Sequence, residues 1–402
     1  MTDQPRFQAG RRGDEVRGDC WLGFDPAATG DLEFDFRSRV EVLYGEATRE
    51  LLQELFASAG FANGRLSVDD QGAYPFVLRA RAEALLRQVL QDPLWNAACE
   101  PVAGPCPPTV RVRPRRSRLY LPGNEPKYML NAALHGPDAV ILDLEDSVAP
   151  AAKSQARSLV RHALHSLDWG ACERMVRINQ GDAGLADLAA LAGAPFHLVL
   201  VPKVERPAEL AAVDAALGDR DVLLMPILES ALGIENAFAI AQASPRNVAL
   251  TIGLEDLTAD LGIAKTAGGA ETLWARSRMV HAAKATGLQA IDSVYGDVDD
   301  DPGFRASLRE ARALGFQGKG CVHPRQIAVV HQEMAPRPQE VEHACRIARA
   351  FEAAQARGQA VVSLGSKMID PPVVKRALAT VAAALEAGSL PTDWREREPK
   401  SA

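Results

Sequence analysis

The stretch D138-A-V-I-L-D-L-E-D-S-V148 joins a short apolar run to a cluster of acidic side chains. Residues 139–142 are all apolar, which is typical of a strand buried on both faces. Asp143, Glu145 and Asp146 follow that strand directly. Carboxylates in this position can cap the next helix, bind a hard cation or take part in acid–base chemistry. The rest of the chain has to decide among these alternatives.

The same pattern recurs from residue 116 onward, where short apolar runs alternate with amphipathic segments of helical periodicity. This alternation predicts a (β/α)8 TIM barrel, with a doubly wound open sheet as the alternative. An open sheet of that kind should carry a glycine-rich phosphate loop after its first strand, and the segment Pro-Gly-Asn-Glu-Pro at 122–126 is not one. We therefore predict a barrel with strands at residues 119–122, 139–142, 175–178, 197–201, 222–227, 248–252, 290–294 and 320–322.

Ionisable or hydrogen-bonding side chains lie at or just after the ends of most predicted strands. In a barrel the carboxyl ends of all strands meet at one rim, which is where such enzymes hold their active sites. Helix capping explains any one of these residues but not their recurrence. The residues expected at this rim are Asp143, Glu145, Arg177, Asn179, Lys203, Glu205, Glu229, Glu255, Asp256, Asp292 and His323.

The charge at this rim indicates a divalent cation, because carboxylates grouped without one repel each other. Glu229 and Asp256 end successive strands, so we predict that they ligate one Mg²⁺, with Mn²⁺ as a possible substitute. Glu145 and Asp146 would orient the waters of the metal. Arg177 offers a fork for a substrate carboxylate. These groups fit enolate chemistry next to a carbonyl, on a 2-oxo or 2-hydroxy acid.

The chain before the barrel predicts a small α+β domain at residues 1–95 and a Pro-rich linker at 96–114, followed by the barrel domain at 115–402. Within the small domain, strands are expected at 31–36 and 65–68, and helices at 46–56 and from 76 onward. Residues 1 to about 30 are interpreted as a polar segment with an Arg-Arg pair at 11–12 and several glycines.

Composition restricts the function classes. The net charge of −7 over 402 residues argues against nucleic acid or an anionic membrane as the main partner. No apolar run approaches the ~20 residues that span a bilayer. The N-terminus lacks a secretory pattern. The cysteines at 20, 99, 106, 172, 321 and 345 form no C-x-x-C pair, so a reduced cytoplasmic location is expected.

Several motifs together resemble the citrate lyase beta-subunit and malyl-CoA lyase family, in the order of that family. The resemblance implies a Mg²⁺-dependent TIM barrel that cleaves or forms 3-hydroxyacyl-CoA thioesters and assembles as a homo-oligomer, a trimer or hexamer. The motifs are R-S-R-L-Y-L-P-G (116–123), the opening stretch (138–148), V-R-I-N (176–179), P-K-V-E (202–205), I-L-E-S-A (227–231), G-L-E-D-L (253–257), G-K-G-C-V-H-P (318–324) and M-I-D-P-P-V-V (368–374).

The resemblance implies roles for individual residues. Glu229 and Asp256 would be the metal ligands, and Arg177 would bind the carboxylate of the 2-oxo acid. Glu145 and Asp146 would support the water shell of the metal.

Three further residues receive roles on the same basis. Asp370 would act as acid or base from a C-terminal segment that closes over the site of a neighbouring subunit, and Arg116 would contact the CoA part. His323 is either structural or a substrate contact.

Residues 8–92 resemble the acyl carrier (gamma) subunit of citrate lyase, chiefly through V-D-D-Q-G-A (68–73) and L-R-A-R-A-E-A-L (78–85). In that family a serine carries a CoA-derived prosthetic group. Arg17 stands at the corresponding position here, and residues 1–37 contain no serine. No covalent prosthetic group is therefore expected, and a docking or oligomerisation role is predicted for this domain.

Three functions remain open at this stage. The first is a lyase acting on free malyl-, citramalyl- or citryl-CoA, which the set of rim residues favours. The second is a malate-synthase-like condensation of acetyl-CoA with a keto acid, followed by hydrolysis of the thioester. The third is a non-catalytic subunit of a citrate-lyase-like complex.

Overall fold

A computed structural model describes residues 5–100, 107–357, 362–364 and 367–396. The chain forms two compact units, Met1–Ile327 and Ala328–Ala402. The first unit holds both the small N-terminal domain and the barrel. The expected boundaries at 95, 114 and 402 stay predictions, and residues 101–106 of the expected linker lie outside the described residues.

The small domain is built on a four-stranded sheet with the order β1-β2-β4-β3. Strand β2 is antiparallel to β1 and β4, and β3 is parallel to β4. Two strands that were not predicted, β1 and β2, lie in the polar segment 1–30, and most of β2 is buried. The strands are β1 (Phe7–Gly10), β2 (Cys20–Pro26), β3 (Leu32–Ser38) and β4 (Gly64–Asp70).

Two helices, α1 (Glu41–Ser58) and α2 (Pro75–Leu90), complete this domain. Its core includes Phe24, Phe56 and Leu85, all without solvent exposure. The rings of Phe24 and Phe56 meet edge to face with centroids 4.8 Å apart. This apolar cluster gives the small domain a core of its own.

Eight parallel strands close into a barrel in the order β10-β11-β12-β5-β6-β7-β8-β9. The predicted (β/α)8 barrel is therefore confirmed, and the open sheet is excluded. Each predicted strand overlaps an observed one. The barrel strands are β5 (Ser117–Pro122), β6 (Ala139–Asp143), β7 (Glu173–Arg177), β8 (Leu198–Val201), β9 (Leu223–Leu228), β10 (Ala249–Ile252), β11 (Gln289–Asp292) and β12 (Gly318–Cys321).

Helices follow the barrel strands along the chain. Several begin with proline in the first turn, where its missing N–H costs no hydrogen bond. They are α3 (Pro126–Met129), α4 (Lys153–Ser166), α5 (Gly181–Ala190), α6 (Pro207–Leu217), α7 (Ala231–Glu235), α8 (Ala237–Ala241), α9 (Leu254–Asp260), α10 (Leu273–Ala285), α11 (Asp301–Leu314) and α12 (Arg325–Met334), with 3-10 turns at Ala132–His135, Pro150–Ala152 and Ala270–Thr272.

Side chains from alternate strand positions fill the inside of the barrel. Ile141, Met175, Met225 and Ile227 belong to one buried apolar cluster, against which Tyr120 packs. This packed layer closes the barrel below the strand ends, so any cavity has to open above it.

The small domain packs against the barrel through α2 and α4. Glu83 on α2 is fully buried and pairs with Arg161 and with Nε2 of His162, 3.0 Å away, both on α4. Arg87 pairs with the same carboxylate at 2.9 Å and donates to Oγ of Ser158 at 3.1 Å. A buried, shared carboxylate of this kind holds the two domains in one unit.

The second unit has its own apolar core, which includes Val374, Val381 and Trp394. It contains α13 (Pro338–Gln355), the antiparallel hairpin β13 (Val362–Leu364) and β14 (Lys367–Ile369), and α14 (Pro371–Glu386).

No helix within the described ranges is long and apolar enough to cross a membrane. The described cysteines, 20, 99, 172, 321 and 345, are free thiols, and Cys106 lies outside the described residues.

Candidate active site at the carboxyl ends of the barrel strands

Asp143, the last residue of β6, holds Arg177, the last residue of β7, through a two-pronged ion pair. Nε and Nη2 of Arg177 donate to the two carboxylate oxygens at 2.6 and 2.7 Å. Burial opposes ionisation of Asp143, but the hydrogen bond and the charge of Arg177 lower the pKa of Asp143. Asp143 also accepts from the backbone N–H groups of Glu145 and Ser147. It therefore orients Arg177 and shapes the loop after β6.

Glu229 follows β9 and is 5% exposed. Burial, together with the charges of Asp256 and Glu145, raises the pKa of Glu229 to about 8. Its Oε1 accepts a 2.7 Å hydrogen bond from the backbone N–H of Lys203. A buried carboxylate beside other carboxylates is an arrangement that a bound cation would relieve.

Asp256, in the first turn of α9, lies beside Glu229 on the walls of two cavities. One cavity, of about 340 Å³, is also lined by Tyr120, Asp143 and Arg177. The other, of about 730 Å³, is also lined by Lys203. The two expected metal ligands thus stand between two cavities of one rim.

Lys203 links the loops after β6 and β8. Its Nζ lies 3.0 Å from Glu145 and 3.3 Å from Asp146. Burial acts against the charge of Lys203, but the hydrogen bond of Glu145 and the charges of Glu145 and Asp146 raise its pKa. Glu145 also pairs with Nη1 of Arg177 at 3.0 Å. The structure therefore gathers Glu145 and Asp146 around the ammonium of Lys203.

Gly253, directly after β10, leaves room for Glu229. A Cβ atom added at this position would overlap the Glu229 carboxylate and lie 2.8 Å from its Cβ. The backbone of Gly253 has an ordinary φ of −110°, so glycine is required here by space and not by conformation.

A buried charge cluster lies on the side of the cavity formed by β11 and β12. Asp292 accepts from Nζ of Lys319 at 2.7 Å and from Nη2 of Arg276 at 3.1 Å. Burial opposes ionisation, but the charges of Lys319 and Arg276 lower the pKa of Asp292. Asp292 is therefore an anion fixed between two cations.

Two of the expected site residues, Arg116 and His323, do not line either of the two rim cavities. Arg116 precedes β5 and pairs with Asp138, which precedes β6, through contacts of 2.8 and 2.9 Å. Amino-terminal strand ends meet at the opposite rim, and Arg116 lines neither rim cavity, so its contact with the CoA part stays a prediction. His323 follows β12 but accepts from the N–H of Arg325 at the start of α12 and lines neither rim cavity.

Asp370 belongs to the second unit, where it caps α14. Its Oδ1 accepts from the backbone N–H of Val373 at 3.1 Å. This contact accounts for the residue structurally, and its acid–base role stays a prediction.

Sequence reasoning gave no role to three residues that the structure places at the site. They are Lys203, Tyr120 and Arg118. Tyr120 lies under the guanidinium of Arg177, with 5.2 Å between the guanidinium carbon and the ring centroid. Arg118 and Tyr120 could have been predicted from the alternation of side chains in S-R-L-Y-L-P at 117–122. Because successive side chains of a strand point to opposite faces, these two residues share the inward face of β5.

The barrel and its rim match one family of known proteins. The family model described as HpcH/HpaI aldolase/citrate lyase matches residues 116–324, which include every barrel strand. The chain belongs to the HpcH/HpaI aldolase/citrate lyase family. It is accordingly an enzyme of the carbon–carbon lyase type, as predicted. A second model, the malonate decarboxylase delta subunit, matches residues 12–89, so the predicted carrier-like character of the small domain is confirmed.

Relatives within the HpcH/HpaI family include two kinds of lyase. The chain is 36% identical over 276 residues to the citrate lyase subunit beta of Leuconostoc mesenteroides, which covers 66% of this chain and 91% of that protein. It is 35% identical over 303 residues to the L-malyl-CoA/beta-methylmalyl-CoA lyase of Cereibacter sphaeroides, covering 68% and 94%.

A solved structure of a family member supports the same relationship. The protein CitE from Mycobacterium tuberculosis, in complex with magnesium, acetoacetate and coenzyme A, is 33% identical, with a TM-score of 0.59. The match covers 68% of this chain and 99% of that one.

Proposed function

We propose that this chain is a Mg²⁺-dependent lyase that cleaves a 3-hydroxy-3-carboxyacyl-CoA thioester, such as malyl-, citramalyl- or citryl-CoA, into a 2-oxo acid and an acyl-CoA. The observation that carries the proposal is the pair Glu229 and Asp256 on the wall of one cavity with Arg177. The magnesium and coenzyme A complex of the related Mycobacterium tuberculosis protein supports it.

The residues present fit a divalent cation. Glu229 and Asp256 offer two carboxylates, and burial together with the charges of Asp256 and Glu145 raises the pKa of Glu229. Within the described ranges no group of three or more His, Cys, Asp or Glu side chains could hold a metal. Two carboxylates suit Mg²⁺, which keeps several waters and takes further oxygens from its substrate. When bound, Mg²⁺ or Mn²⁺ would supply Lewis acidity towards the substrate oxygens.

Arg177 binds the carboxylate on C3 of the substrate in this proposal. Asp143 already occupies its Nε and one N–H of Nη2, and Glu145 pairs with Nη1, so the two N–H groups that remain on Nη1 and Nη2 serve the substrate. Asp143 prevents the guanidinium from turning away, and the ring of Tyr120 supports it from the barrel interior. A substrate carboxylate therefore meets a cation whose position is fixed before binding.

The cleavage step is a retro-Claisen reaction. A base takes the proton of the C3 hydroxyl, and the C2–C3 bond breaks with its electron pair passing to C2. The products are a 2-oxo acid and the enolate of an acyl-CoA, which takes up a proton at C2. Resemblance assigns the acid–base role to Asp370. Arg177 and Lys203 supply fixed positive charge near the anionic groups that form.

The test is incubation of the protein and Mg²⁺ with malyl-, citramalyl- and citryl-CoA, with release of 2-oxo acid followed by hydrazone absorbance. Cleavage of at least one thioester is expected, with no free CoA thiol formed. Release of free CoA during condensation of acetyl-CoA with a keto acid would favour the synthase instead. Inactivity in both directions would overturn the proposal and favour a non-catalytic subunit.

Assembly as a homo-oligomer and a cytoplasmic location are further proposals. Light scattering should give the mass of a trimer or hexamer of the 43.1 kDa chain.

A further inference from the structure

Arg118 is a fully buried guanidinium inside the barrel. It is the second residue of β5, and its side chain has no solvent exposure. Nη1 lies 3.0 Å from Sδ of Met225 and donates to Oγ1 of Thr251 at 3.0 Å. Nε and Nη2 are buried and have no hydrogen-bond partner in the part of the chain that the structure describes.

The unpaired edge of Arg118, formed by Nε and Nη2, is the edge that other arginines of this chain use for carboxylates. Nε and Nη2 of Arg177 bind Asp143, and the same two atoms of Arg81 bind Asp19. Arg115 and Arg116 engage Glu173 and Asp138 in the same way. A parallel pair of N–H groups matches the two oxygens of a carboxylate.

The carboxylates near Arg118 form no ion pair with its guanidinium. No ion pair among the described residues joins Arg118 to an acidic side chain. Asp292, on the same cavity, binds Lys319 and Arg276 through Oδ2, and its buried Oδ1 accepts no hydrogen bond from Arg118. Burial lowers the pKa of Arg118, which reflects the cost of an unpaired cation in the interior. A ligand that brings an anion to this edge would remove that cost.

The position of Arg118 gives the depth at which such an anion would bind. Arg118 lines the 340 Å³ cavity together with Glu229 and Asp256. Its partner Thr251 pairs in register with Ile227, two residues before Glu229. Two residues along a strand span about 7 Å, so Arg118 acts about one layer of side chains below the rim carboxylates. A substrate group pointing inward from C3 would extend towards this layer.

We infer that Arg118 binds a carboxylate carried by the substituent on C3 of the substrate, so that the 2-oxo acid released is a dicarboxylate. This inference rests on the proposed lyase function. Malyl-, citramalyl- and citryl-CoA differ at that position, where they carry a hydrogen, a methyl group and a carboxymethyl group. Only the carboxymethyl group can pair with the open edge of Arg118, so citryl-CoA is the expected substrate of the three.

The first experiment uses the unaltered enzyme with Mg²⁺ and compares kcat/KM for the three thioesters. Citryl-CoA should be preferred by about 10- to 100-fold, the effect of one charged hydrogen-bonded pair. If malyl- or citramalyl-CoA is cleaved as well or better, the inference is overturned while the lyase function stands. If none of the three is cleaved, the lyase function itself fails.

The second experiment tests the residue directly. Arg118→Met should lower kcat/KM for citryl-CoA about 10- to 100-fold more than for malyl-CoA, and an equal effect on both would overturn the assignment. A binding measurement covers the case in which the variant is inactive or unstable. In calorimetric titrations of the unaltered protein with Mg²⁺, oxaloacetate should bind at least about tenfold more tightly than pyruvate, and equal affinities would count against Arg118.

Discussion

The backbone N–H of Lys203 donates a 2.7 Å hydrogen bond to Oε1 of Glu229 from a left-handed conformation with φ of 51°. A non-glycine residue at positive φ carries conformational strain, and such strain collects at functional sites. Here the strained backbone orients an expected metal ligand, while the Lys203 side chain neutralises Glu145 and Asp146. One residue thus connects the two acidic groups of the rim.

This relationship predicts a difference between two variants of Lys203. Lys203→Gly and Lys203→Ala both remove the ammonium, but glycine adopts φ of 51° without strain. The glycine variant should therefore be more stable than the alanine variant by about 1 kcal/mol. Urea unfolding of the two proteins measures the difference. A more stable alanine variant would contradict the left-handed conformation at this position.

Glycine at 253 is predicted to be required by the Glu229 side chain. Gly253→Ala should displace the Glu229 carboxylate and lower lyase activity and Mg²⁺ affinity at least about tenfold, because the added Cβ overlaps that carboxylate. Gly268→Ala is the matched control, since a Cβ there meets only Oγ1 of Thr266 at 3.9 Å. Unchanged Mg²⁺ binding in Gly253→Ala would argue against Glu229 as a ligand.

Adjacent acids on α9 provide a sharper test of the metal site. Asp256→Asn should abolish Mg²⁺ binding and activity, because an amide cannot replace the negative charge of a ligand. Glu255→Gln should keep both, since Glu255 is largely exposed and pairs with Lys265. Titration with Mn²⁺, followed by electron paramagnetic resonance, reports binding without turnover. Equal loss of binding in the two variants would point to a general charge effect.

Much of this architecture was predictable because each barrel strand is a short apolar run that ends in polar residues. Residues 139–142 show this pattern clearly, and the observed strand Ala139–Asp143 matches it. The strand Cys20–Pro26 was missed because the residues before it are rich in arginine and glycine, although Trp21, Leu22 and Phe24 bury in the sheet. Flanking composition concealed a genuine apolar run.

Site residues were predictable as a set but not in their contacts. Strand-end position correctly places Arg177, Glu229 and Asp256 on one cavity. The same rule places Arg116 at the opposite rim, because it precedes its strand, and the CoA contact that the resemblance implies for it stays a prediction. The left-handed backbone of Lys203 and the open edge of Arg118 depend on three-dimensional packing, which no local pattern encodes.

The shared carboxylate of Glu83 predicts acid sensitivity of the first unit. Burial works against ionisation, but His162 and Arg161 lower the pKa of Glu83 to about 2, and burial lowers the pKa of His162. Stability from Glu83 is complete above its ordinary value near pH 4.5 and is lost as pH falls towards 2, by about 3 kcal/mol in total. Because burial also lowers the pKa of His162, stability is lost in the same direction as pH falls below about 6.5 and this histidine has to take up a proton.

Variants separate this network from general acid denaturation. At pH 7, Glu83→Gln should cost about 3–5 kcal/mol, because Arg161 and Arg87 lose the anion that they share. Glu41→Gln, which breaks the exposed pair with Arg49, should cost less than about 1 kcal/mol. Urea unfolding from pH 7 to pH 3 measures both effects. A Glu83→Gln protein with the pH profile of the unaltered protein would exclude this carboxylate as the cause.

The small domain is predicted to carry no prosthetic group, although it matches a carrier-type family model over residues 12–89. Arg17 is exposed, and the neighbouring Asp19 is buried and bound by Arg81 at 2.8 and 2.9 Å, so this loop is folded but lacks the hydroxyl needed for a phosphodiester. After expression together with the citrate lyase maturation enzymes, the intact mass should equal the 43.1 kDa of the sequence. A citrate lyase acyl carrier subunit in the same cells is the positive control. An added mass on this chain would show that another residue accepts the prosthetic group. The substrate would then arrive on a tethered arm.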